Sequence, residues 1–415
     1  MNNEICTSFK KLMTGLIIGN VGFYIASIVP TALLLTLKFL ELTPQDATIN
    51  FSLTAAIGGI ATLIAGYIGG MISDKTCIKF GKRKTWIILG SLIGSVGLCV
   101  IGYSTSVKVI VLLWVVCCIG FNFMYSALNG ALADQCENEK RGTAGGLLGI
   151  FAPVGIQIGI GIMTFINNSS ISTKFNVLAV IYVITSVICC TIIKDTPAEK
   201  KTTNNKIKKD KISFYPSLKK YPEFSWGVAT RFFMAISYAS QTYMTLYFVM
   251  HFNIPQNEVT QLVFINGIIG SVVGAVASII AGSISDKFKK QKPILIASGF
   301  IVALGLILLV LANSIVMAII ACIFISSGYS AYLAVDMALT MRILPNMQEV
   351  AKDMSIVNTA GNLPNSIVPA FAPTLIGIGG FALLFSALAV CSVISAAAVL
   401  PIPEMITNFK GKLYS

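Results

Sequence analysis

Residues 69–84 read GGMISDKTCIKFGKRK and form a short basic segment between two long apolar stretches. The segment carries five cations and one acid, Asp74. Taken alone, it could be a phosphate-binding loop, a nucleic-acid patch, a targeting signal or a loop between membrane helices. It lacks the glycine spacing and the strand context of a phosphate-binding loop, so the rest of the chain must decide among the others.

The composition indicates a membrane protein. Of the 415 residues, 55% are hydrophobic and only 11% are charged, which lies far outside the range of soluble domains. The net charge of +13 is spread over short clusters between apolar runs rather than gathered on one segment. We therefore expect the lipid bilayer, and no nucleic acid, as a partner.

Twelve apolar runs are each long enough to cross a bilayer, which takes about 20 helical residues. Long continuous runs favour helices over the short alternating strands of a membrane barrel. The sequence thus predicts an all-α integral membrane fold of twelve transmembrane helices. The predicted spans are approximately 12–39, 50–72, 85–103, 109–133, 142–166, 175–193, 224–250, 260–284, 293–312, 314–336, 353–375 and 378–400.

The first run is far longer than a signal-peptide core and lacks a small-residue cleavage site, so it is predicted to be a retained membrane helix. All but four of the 30 lysines and arginines fall in segments on the side of the two termini. By the positive-inside rule, both termini are predicted to be cytoplasmic, in a multi-pass protein of the cell membrane.

A long polar segment divides the chain into two halves of six spans. It runs from Lys194 to Tyr221 and is rich in lysine. The predicted organisation is a six-helix bundle over residues 1–193, a cytoplasmic linker over 194–222 and a second six-helix bundle over 223–415.

The two halves repeat one another. The pattern Gly70-x-x-x-Asp74-Lys75 after the second span recurs 212 residues later, after the eighth. Two further pairs of residues match between the fifth and eleventh spans, one at the start of each span and one inside it. Internal repeats of this kind are typical of transporters, whose substrate site lies between the repeats. The matched residues of the second half are Gly282, Asp286 and Lys287, with Arg141 matching Lys352 and Pro153 matching Pro364.

Three segments give the chain a resemblance to the major facilitator superfamily over nearly all twelve spans. They are residues 69–84, their echo GSISDKFKKQK at 282–292, and LADQCENEKRG at 132–142. The five-residue insertion before Gly81 and the segment AVDMALTMRILPNMQEVAKDMSIVNTAGNLP at 334–364 are similar to the sucrose/proton and glycoside-cation symporter branches.

The resemblance implies a cytoplasmic gate. It implies that Asp74 approaches the start of the eleventh span, that Lys75 or Arg83 pairs with Asp134, and that the second half has matching contacts. Asp134 and Asp336 are expected to end the fourth and tenth spans. The alternative is that these charges only fix topology and hold loops. The gate residues are predicted to be Gly70, Asp74, Lys75, Gly81, Arg83, Asp134, Arg141, Gly282, Asp286, Lys287, Asp336 and Lys352.

The resemblance also implies a cavity lined chiefly by the first, fourth, seventh and tenth spans, with contributions from the second, fifth, eighth and eleventh. Amides and tyrosines in such spans need polar partners, and together they suit a neutral polyol or glycoside. Hydrogen bonds between helices are the alternative role for each of them. The predicted substrate-binding residues are Asn20, Tyr24, Asn122, Tyr125, Gln157, Tyr238, Gln241, Asn266, Tyr329, Tyr332 and Asn362.

Arg231 is an unusual residue because it lies inside the seventh span. Its side chain either extends back to the cytoplasmic headgroups or anchors an anionic substrate. The seventeen acidic residues are all predicted in loops, termini or helix ends, which argues against a proton relay through a span-centred carboxylate. The coupling ion, a proton or another, stays open.

The sequence predicts a secondary active transporter that works by alternating access on a sugar or glycoside-like solute, with proton coupling as one option. Efflux of amphipathic drug-like compounds by proton antiport is the alternative. The lone His251 has no catalytic or metal-binding partner in the sequence, and no nucleotide-binding motif occurs, so we expect neither an enzyme nor a cofactor or metal site. We expect a monomer. A non-transporting receptor or a membrane-embedded enzyme would need a soluble module or a catalytic cluster.

Overall fold

The structure is a computed structural model that describes residues 7–78, 80–137, 140–195, 216, 221–345 and 350–403. The side chains of residues 141, 142 and 350–352 lie outside this description. Within the described residues the secondary structure is helical, and they contain no strand.

The first half contains six helical spans. The first is bent by one π-helical turn at Pro30–Leu34, where proline has no N–H for the helical ladder. The second begins with a short 3-10 turn at Pro44–Asp46. The helices of the first six spans are Phe9–Val29 with Leu35–Leu42, Ala47–Asp74, Lys84–Tyr103, Val107–Gln135, Arg141–Phe165 and Ile171–Ile192.

The second half contains the remaining spans, and two of them are interrupted. The seventh span changes to a 3-10 helix at Ala239–Tyr243. The last helical stretch leaves helical geometry at Gly379 and Gly380, where Gly380 has a φ of 65° that favours glycine. The helices are Pro222–Tyr238 with Met244–His251, Gln256–Phe288, Lys292–Val310, Ile315–Ile343, Val350–Asn362 and Pro364–Ala398.

Ten helices of the described chain are long and apolar enough to cross a membrane. The seventh span is not among them because its helix is interrupted, and Asp353–Ala398 counts once although Gly379 and Gly380 divide it. With these two interruptions taken into account, the helices give the twelve predicted spans.

Close glycine contacts recur in the two halves. A Cβ on Gly90 of the third span would lie 2.5 Å from the Gly120 carbonyl oxygen of the fourth. A Cβ on Gly328 of the tenth span would lie 2.9 Å from the Ser298 carbonyl oxygen of the ninth. In a bilayer the hydrophobic effect does not drive helices together, because the lipid tails are as apolar as the side chains. Small residues favour helix association there because they let the backbones approach closely. The repeat therefore extends to helix packing.

The chain packs into two compact units. Of the described residues, one unit contains those up to residue 195 together with 242–265, and the other contains 216, 221–241 and those from 266 onward. Within the first unit, the hydroxyls of Ser52 and Tyr243 lie 2.8 Å apart, and Thr245 donates to the Ala32 carbonyl. These bonds attach the second part of the seventh span to the first and second spans.

The tenth span continues two turns beyond its predicted end at Asp336. The helix runs to Ile343, since the residues that follow include the good helix formers Met337, Ala338 and Leu339. Asp336 therefore lies about 10 Å inside the helix, at 1.5 Å per residue. The predictions that Asp336 ends this span, and that every acid lies in a loop, terminus or helix end, are wrong at this residue.

Candidate functional site

A buried ion pair joins the seventh and tenth spans within the second unit. Nη1 of Arg231 donates to Oδ2 of Asp336 over 2.6 Å. The Asp336 side chain is 1% exposed and that of Arg231 is 18% exposed. The sequence predicted that Arg231 extends to the lipid headgroups or binds an anionic substrate. The ion pair with Asp336 is a third role that was not predicted. Each charge compensates the other, because an unpaired charge at this depth would be far more costly than the pair.

A chain of hydroxyl groups supports the acid. The Tyr332 hydroxyl donates to Oδ1 of Asp336 over 3.0 Å and lies 3.5 Å from the Thr230 hydroxyl. Thr230 in turn lies 2.9 Å from the Ser395 hydroxyl, and Ser395 donates to the Thr230 carbonyl over 2.7 Å. The Asp336 carboxylate is thereby held between the seventh, tenth and twelfth spans.

Arg231 also forms part of the wall of a cavity of about 180 Å³ inside the second unit. Side-chain amides and tyrosines on the wall supply hydrogen-bonding groups, and two small or aliphatic side chains complete it. The lining residues are Arg231, Ala235, Tyr329, Tyr332, Leu333, Asn358, Gly361 and Asn362. Three predicted substrate-binding residues, Tyr329, Tyr332 and Asn362, are thus brought together.

Three further predicted residues lie in the second unit, and one of them stacks on a cavity residue. Tyr238 stacks on Tyr329 with ring centroids 3.6 Å apart and planes 5° from parallel. Gln241 and Asn266 lie around the Cys322 thiol. Nε2 of Gln241 and Oδ1 of Asn266 are buried without a hydrogen-bond partner among the described residues. They offer one buried donor and one buried acceptor.

Of the predicted residues of the first unit, the structure brings Tyr24 and Tyr125 together. Tyr125 stacks on Phe23 at 4.5 Å and contacts the Tyr24 hydroxyl. The Asn20 amide donates to the Leu16 carbonyl of its own helix. An amide that bonds its own helix in this way uses its donor locally and leaves its oxygen as an acceptor.

The remaining two amides of the first unit differ from one another. Asn122 also donates to its own helix, at the Cys118 carbonyl. Oε1 of Gln157 is buried and has no partner within the described part of the chain. Gln157 is therefore the amide of this unit with an unused buried acceptor.

Arg83 is the centre of an ionic cluster at the ends of the second and fourth spans. Its guanidinium contacts Asp74 at 2.6 Å, Asp134 at 2.8 Å and the Ser73 hydroxyl at 2.9 Å. Lys82 adds a second contact to Asp134 at 2.9 Å. Burial alone would lower the pKa of Arg83, but the hydrogen bonds and charges of Asp134 and Asp74 raise it above its ordinary value. Arg83 thus joins two spans that are distant in sequence.

Asp195 completes this cluster from the start of the linker. Its Oδ2 accepts from the backbone N–H groups of Arg83 and Lys84 at 2.6 and 2.9 Å. These groups belong to the unsatisfied donors at the start of the third helix, and a carboxylate there also meets the positive end of the helix dipole. Gly81 lies beside it with a φ of 116°, a conformation that favours glycine.

The second half keeps the geometry of this cluster with different charges. Gln291, which precedes the ninth helix as Arg83 precedes the third, donates to the Ser285 hydroxyl over 3.4 Å. Its oxygen accepts from Arg342 of the tenth span. At the matched positions, the arginine of the first half is thus replaced by an amide, and its carboxylate partner is replaced by an arginine.

The other predicted gate residues take no part in ion pairs among the described residues. Asp286 and Lys287 are exposed, and Lys287 lies over the Phe288 ring. Lys75 is exposed as well. Gly70 and Gly282 have open space where a Cβ would be. The implied contact of Asp336 with Lys287 is not formed, since Asp336 pairs with Arg231.

Two predicted gate residues and most of the linker fall outside what the structure describes. Arg141 begins the fifth helix and Lys352 lies in the first turn of Val350–Asn362, but their side chains are not described. Within the described residues, no group of three or more His, Cys, Asp or Glu side chains could hold a metal ion.

Several functional contacts were not predicted from the sequence. Asp195 follows an apolar span directly, which is a signal for a helix-end role, but its partner helix is distant in sequence. Thr230 and Ser395 read as ordinary small polar residues of membrane helices. Asn358 and Gly361 precede Asn362 on the same helix, and their spacing of three to four residues could have placed them on one face.

The Major Facilitator Superfamily model matches residues 12–346 and again 271–409. Among solved structures, a D-xylose-proton symporter superposes with a TM-score of 0.75 at 14% identity, covering 95% of this chain and 98% of the symporter. The nucleoside transporter NupG gives 0.69 at 13% identity, covering 97% and 100%.

A bacterial homolog of the human lysosomal transporter Spinster, inward-facing and unoccupied, gives a TM-score of 0.67 at 15% identity, covering 95% of this chain and 94% of its own. No curated protein matches the sequence. At these identities the structural likeness establishes the shared fold, and any inference about the solute depends on the residues of this chain.

Proposed function

Because the chain belongs to the Major Facilitator Superfamily, we propose that it carries a sugar or glycoside-like solute across the membrane by alternating access, together with a proton. Members of this superfamily are transporters rather than enzymes. The proposal includes two six-helix bundles at residues 1–193 and 223–415, a cytoplasmic linker at 194–222, and cytoplasmic termini in the cell membrane.

The observation that supports this proposal best is the position of the Arg231–Asp336 pair beside a polar, aromatic cavity. Asn358 and Asn362 present amides to the cavity, and Tyr329 presents a ring that is stacked on Tyr238. Amides bind hydroxyl groups as donors and acceptors, while an aromatic face covers the apolar side of a sugar ring. Such a wall suits a polyhydroxylated solute.

Asp336 is the residue to which we assign proton coupling. The carboxylate is almost fully buried and its charge is balanced by one guanidinium. If the seventh and tenth spans shift apart during transport, an ionised Asp336 would lose this partner in a medium of low dielectric constant. Protonation removes that cost, so the state of the helices and the state of the proton are linked.

The ionic cluster around Arg83 is proposed to act as a cytoplasmic latch. In this cluster the Arg83 guanidinium pairs with Asp74 and Asp134, and Asp195 accepts from the backbone N–H groups of residues 83 and 84. Individual exposed contacts contribute little, about 0–1 kcal/mol, but several partly shielded ones can bias a conformational equilibrium by a few kcal/mol.

Solute uptake into proteoliposomes tests the proposal. An inward proton gradient should drive accumulation of a labelled glycoside such as methyl β-D-glucoside or sucrose, and dissipation of the gradient should abolish accumulation. The alternative, efflux of amphipathic compounds by proton antiport, draws support from the same aromatic cavity. It predicts lowered accumulation of a cationic dye in cells that express the protein, with no glycoside uptake.

A further inference from the structure

The cavity beside Arg231 has a feature that a site for neutral sugars alone does not need. We propose that it binds a carboxylate group of the solute, and that it does so when Asp336 carries a proton. This inference rests on the proposed function and specifies the solute further, as a sugar acid or a similar polyhydroxylated carboxylate that travels with one proton.

The guanidinium of Arg231 has donors to spare. Only Nη1 is engaged, by Asp336, and the other N–H groups have no acceptor among the described residues. The side chain is 18% exposed and forms part of the cavity wall. A guanidinium presents five N–H donors in a planar fork that matches the two oxygens of a carboxylate.

Gly361 is what allows the guanidinium to take this position. A Cβ at Gly361 would lie 3.0 Å from Nε of Arg231, closer than ordinary van der Waals contact. The guanidinium therefore lies against the backbone of the eleventh span, between the carboxylate of Asp336 and the cavity. Asn358 and Asn362 are one turn apart on the same helix and also line the cavity.

The charges around Asp336 determine when a carboxylate can enter. The groups that contact the Asp336 carboxylate are Arg231 from the seventh span and Tyr332 from its own span. No other charged side chain of the described chain acts on it. With Asp336 ionised, a second carboxylate would leave one net negative charge buried. With Asp336 protonated, Arg231 and the bound carboxylate balance each other.

The hydroxyl chain can hold Asp336 in either protonation state. A tyrosine hydroxyl both donates and accepts, so Tyr332 can donate to the ionised Oδ1 or accept the proton of the neutral acid. In the second case its own proton can turn toward the Thr230 hydroxyl, 3.5 Å away. The neutral acid therefore keeps a hydrogen-bond partner after Arg231 has turned to the solute.

Linkage fixes the sign of the pH dependence. The bound carboxylate favours protonated Asp336, so the affinity for the carboxylate is greatest at low pH. It falls by about tenfold for each pH unit above the pKa of Asp336 in the ligand-free protein. Binding takes up one proton for each carboxylate bound. A neutral sugar of the same shape should show neither effect.

Calorimetry on the full-length purified chain tests the inference, with D-gluconate and D-glucuronate as probes and D-glucose and methyl β-D-glucoside as neutral counterparts. We expect uptake of one proton per gluconate or glucuronate, measured in buffers of different ionisation enthalpy, and about tenfold weaker binding per pH unit. Binding of both acids without proton uptake, or failure of both to bind, would overturn the inference.

Two variants sharpen the test. Asp336→Asn should bind the acids with an affinity that no longer depends on pH, and Arg231→Gln should lose that binding at every pH. Glu258→Gln, at an exposed acid outside the predicted sites and without an ion pair among the described residues, is the matched control and should behave as the wild type. If Asp336→Asn does not fold, the proton count on the wild type still decides.

The two proposals fail in different ways. Uptake of a neutral glycoside driven by a proton gradient, with no binding of the acids, would leave the proposed function standing and reject the carboxylate site. Binding of the acids with proton uptake, but no accumulation of any solute in proteoliposomes, would reject transport and retain the site.

Discussion

Nη1 of Arg231 lies 2.6 Å from Oδ2 of Asp336, at a depth where the carboxylate is 1% exposed. The contact joins the seventh span to the tenth and lies beside a cavity lined by amides and tyrosines. A buried pair of this kind stabilises little by itself, since desolvation offsets much of the attraction, but removing one partner is costly.

The buried pair should show strong non-additivity in stability. Arg231→Gln leaves the Asp336 carboxylate unpaired, and we expect a loss of about 3–5 kcal/mol of unfolding free energy near neutral pH. Adding Asp336→Asn removes the unpaired charge and should recover most of that loss. Thermal unfolding of the single and double variants in detergent measures the coupling. Additive losses would show that the two side chains do not interact.

Gly361 should be more sensitive to substitution than another glycine of the same region. Gly361→Ala introduces a Cβ against Nε of Arg231, so the guanidinium must move and transport should fall by about tenfold or more. Gly377→Ala is the matched control, because no atom lies within 4 Å of a Cβ there. Uptake assays on both variants make the comparison. Equal activities would show that the position of Arg231 does not matter.

Asp74 should be needed for transport and not for folding. The Asp74 side chain is 63% exposed, so Asp74→Asn should change stability by less than about 1 kcal/mol while transport is lost. Asp286→Asn, at the matched position of the second half, has no ion pair in the described chain to lose. Membrane insertion, thermal unfolding and uptake are measured together. Normal uptake by Asp74→Asn would reject the latch.

Asp195 should behave as a helix cap. Asp195→Ala removes the acceptor for two backbone N–H groups, and we expect a loss of about 0.5–2 kcal/mol in stability. Asp195→Asn keeps an acceptor and should lose far less. Chemical or thermal unfolding distinguishes the two. Equal losses for asparagine and alanine, which both lack the charge, would mean that charge rather than capping is the main contribution.

The sequence predicts the helices well and their contacts poorly. Long apolar runs set the twelve spans, because a bilayer of fixed thickness demands them. The same rule misplaced Asp336, since the span was ended at this acid although Met337, Ala338 and Leu339 continue the helix toward Ile343. The break at Ala239–Tyr243 also has no clear signal in the sequence.

The candidate site was predictable only in part. Polar residues inside apolar spans identified Tyr329, Tyr332 and Asn362, which the cavity brings together. The partner of Arg231 could not be read from the sequence, because it depends on how two spans more than 100 residues apart pack. The cap at Asp195 depends on packing in the same way.

The central claim is that Asp336 links proton and solute movement, and one comparison in proteoliposomes tests it most directly. Wild-type protein and Asp336→Asn are each assayed for uphill accumulation driven by a proton gradient and for exchange of labelled solute at equal pH on both sides. We expect the Asp336→Asn protein to retain exchange and to lose accumulation, because the asparagine side chain cannot carry the proton. Accumulation by Asp336→Asn at the wild-type level would contradict it.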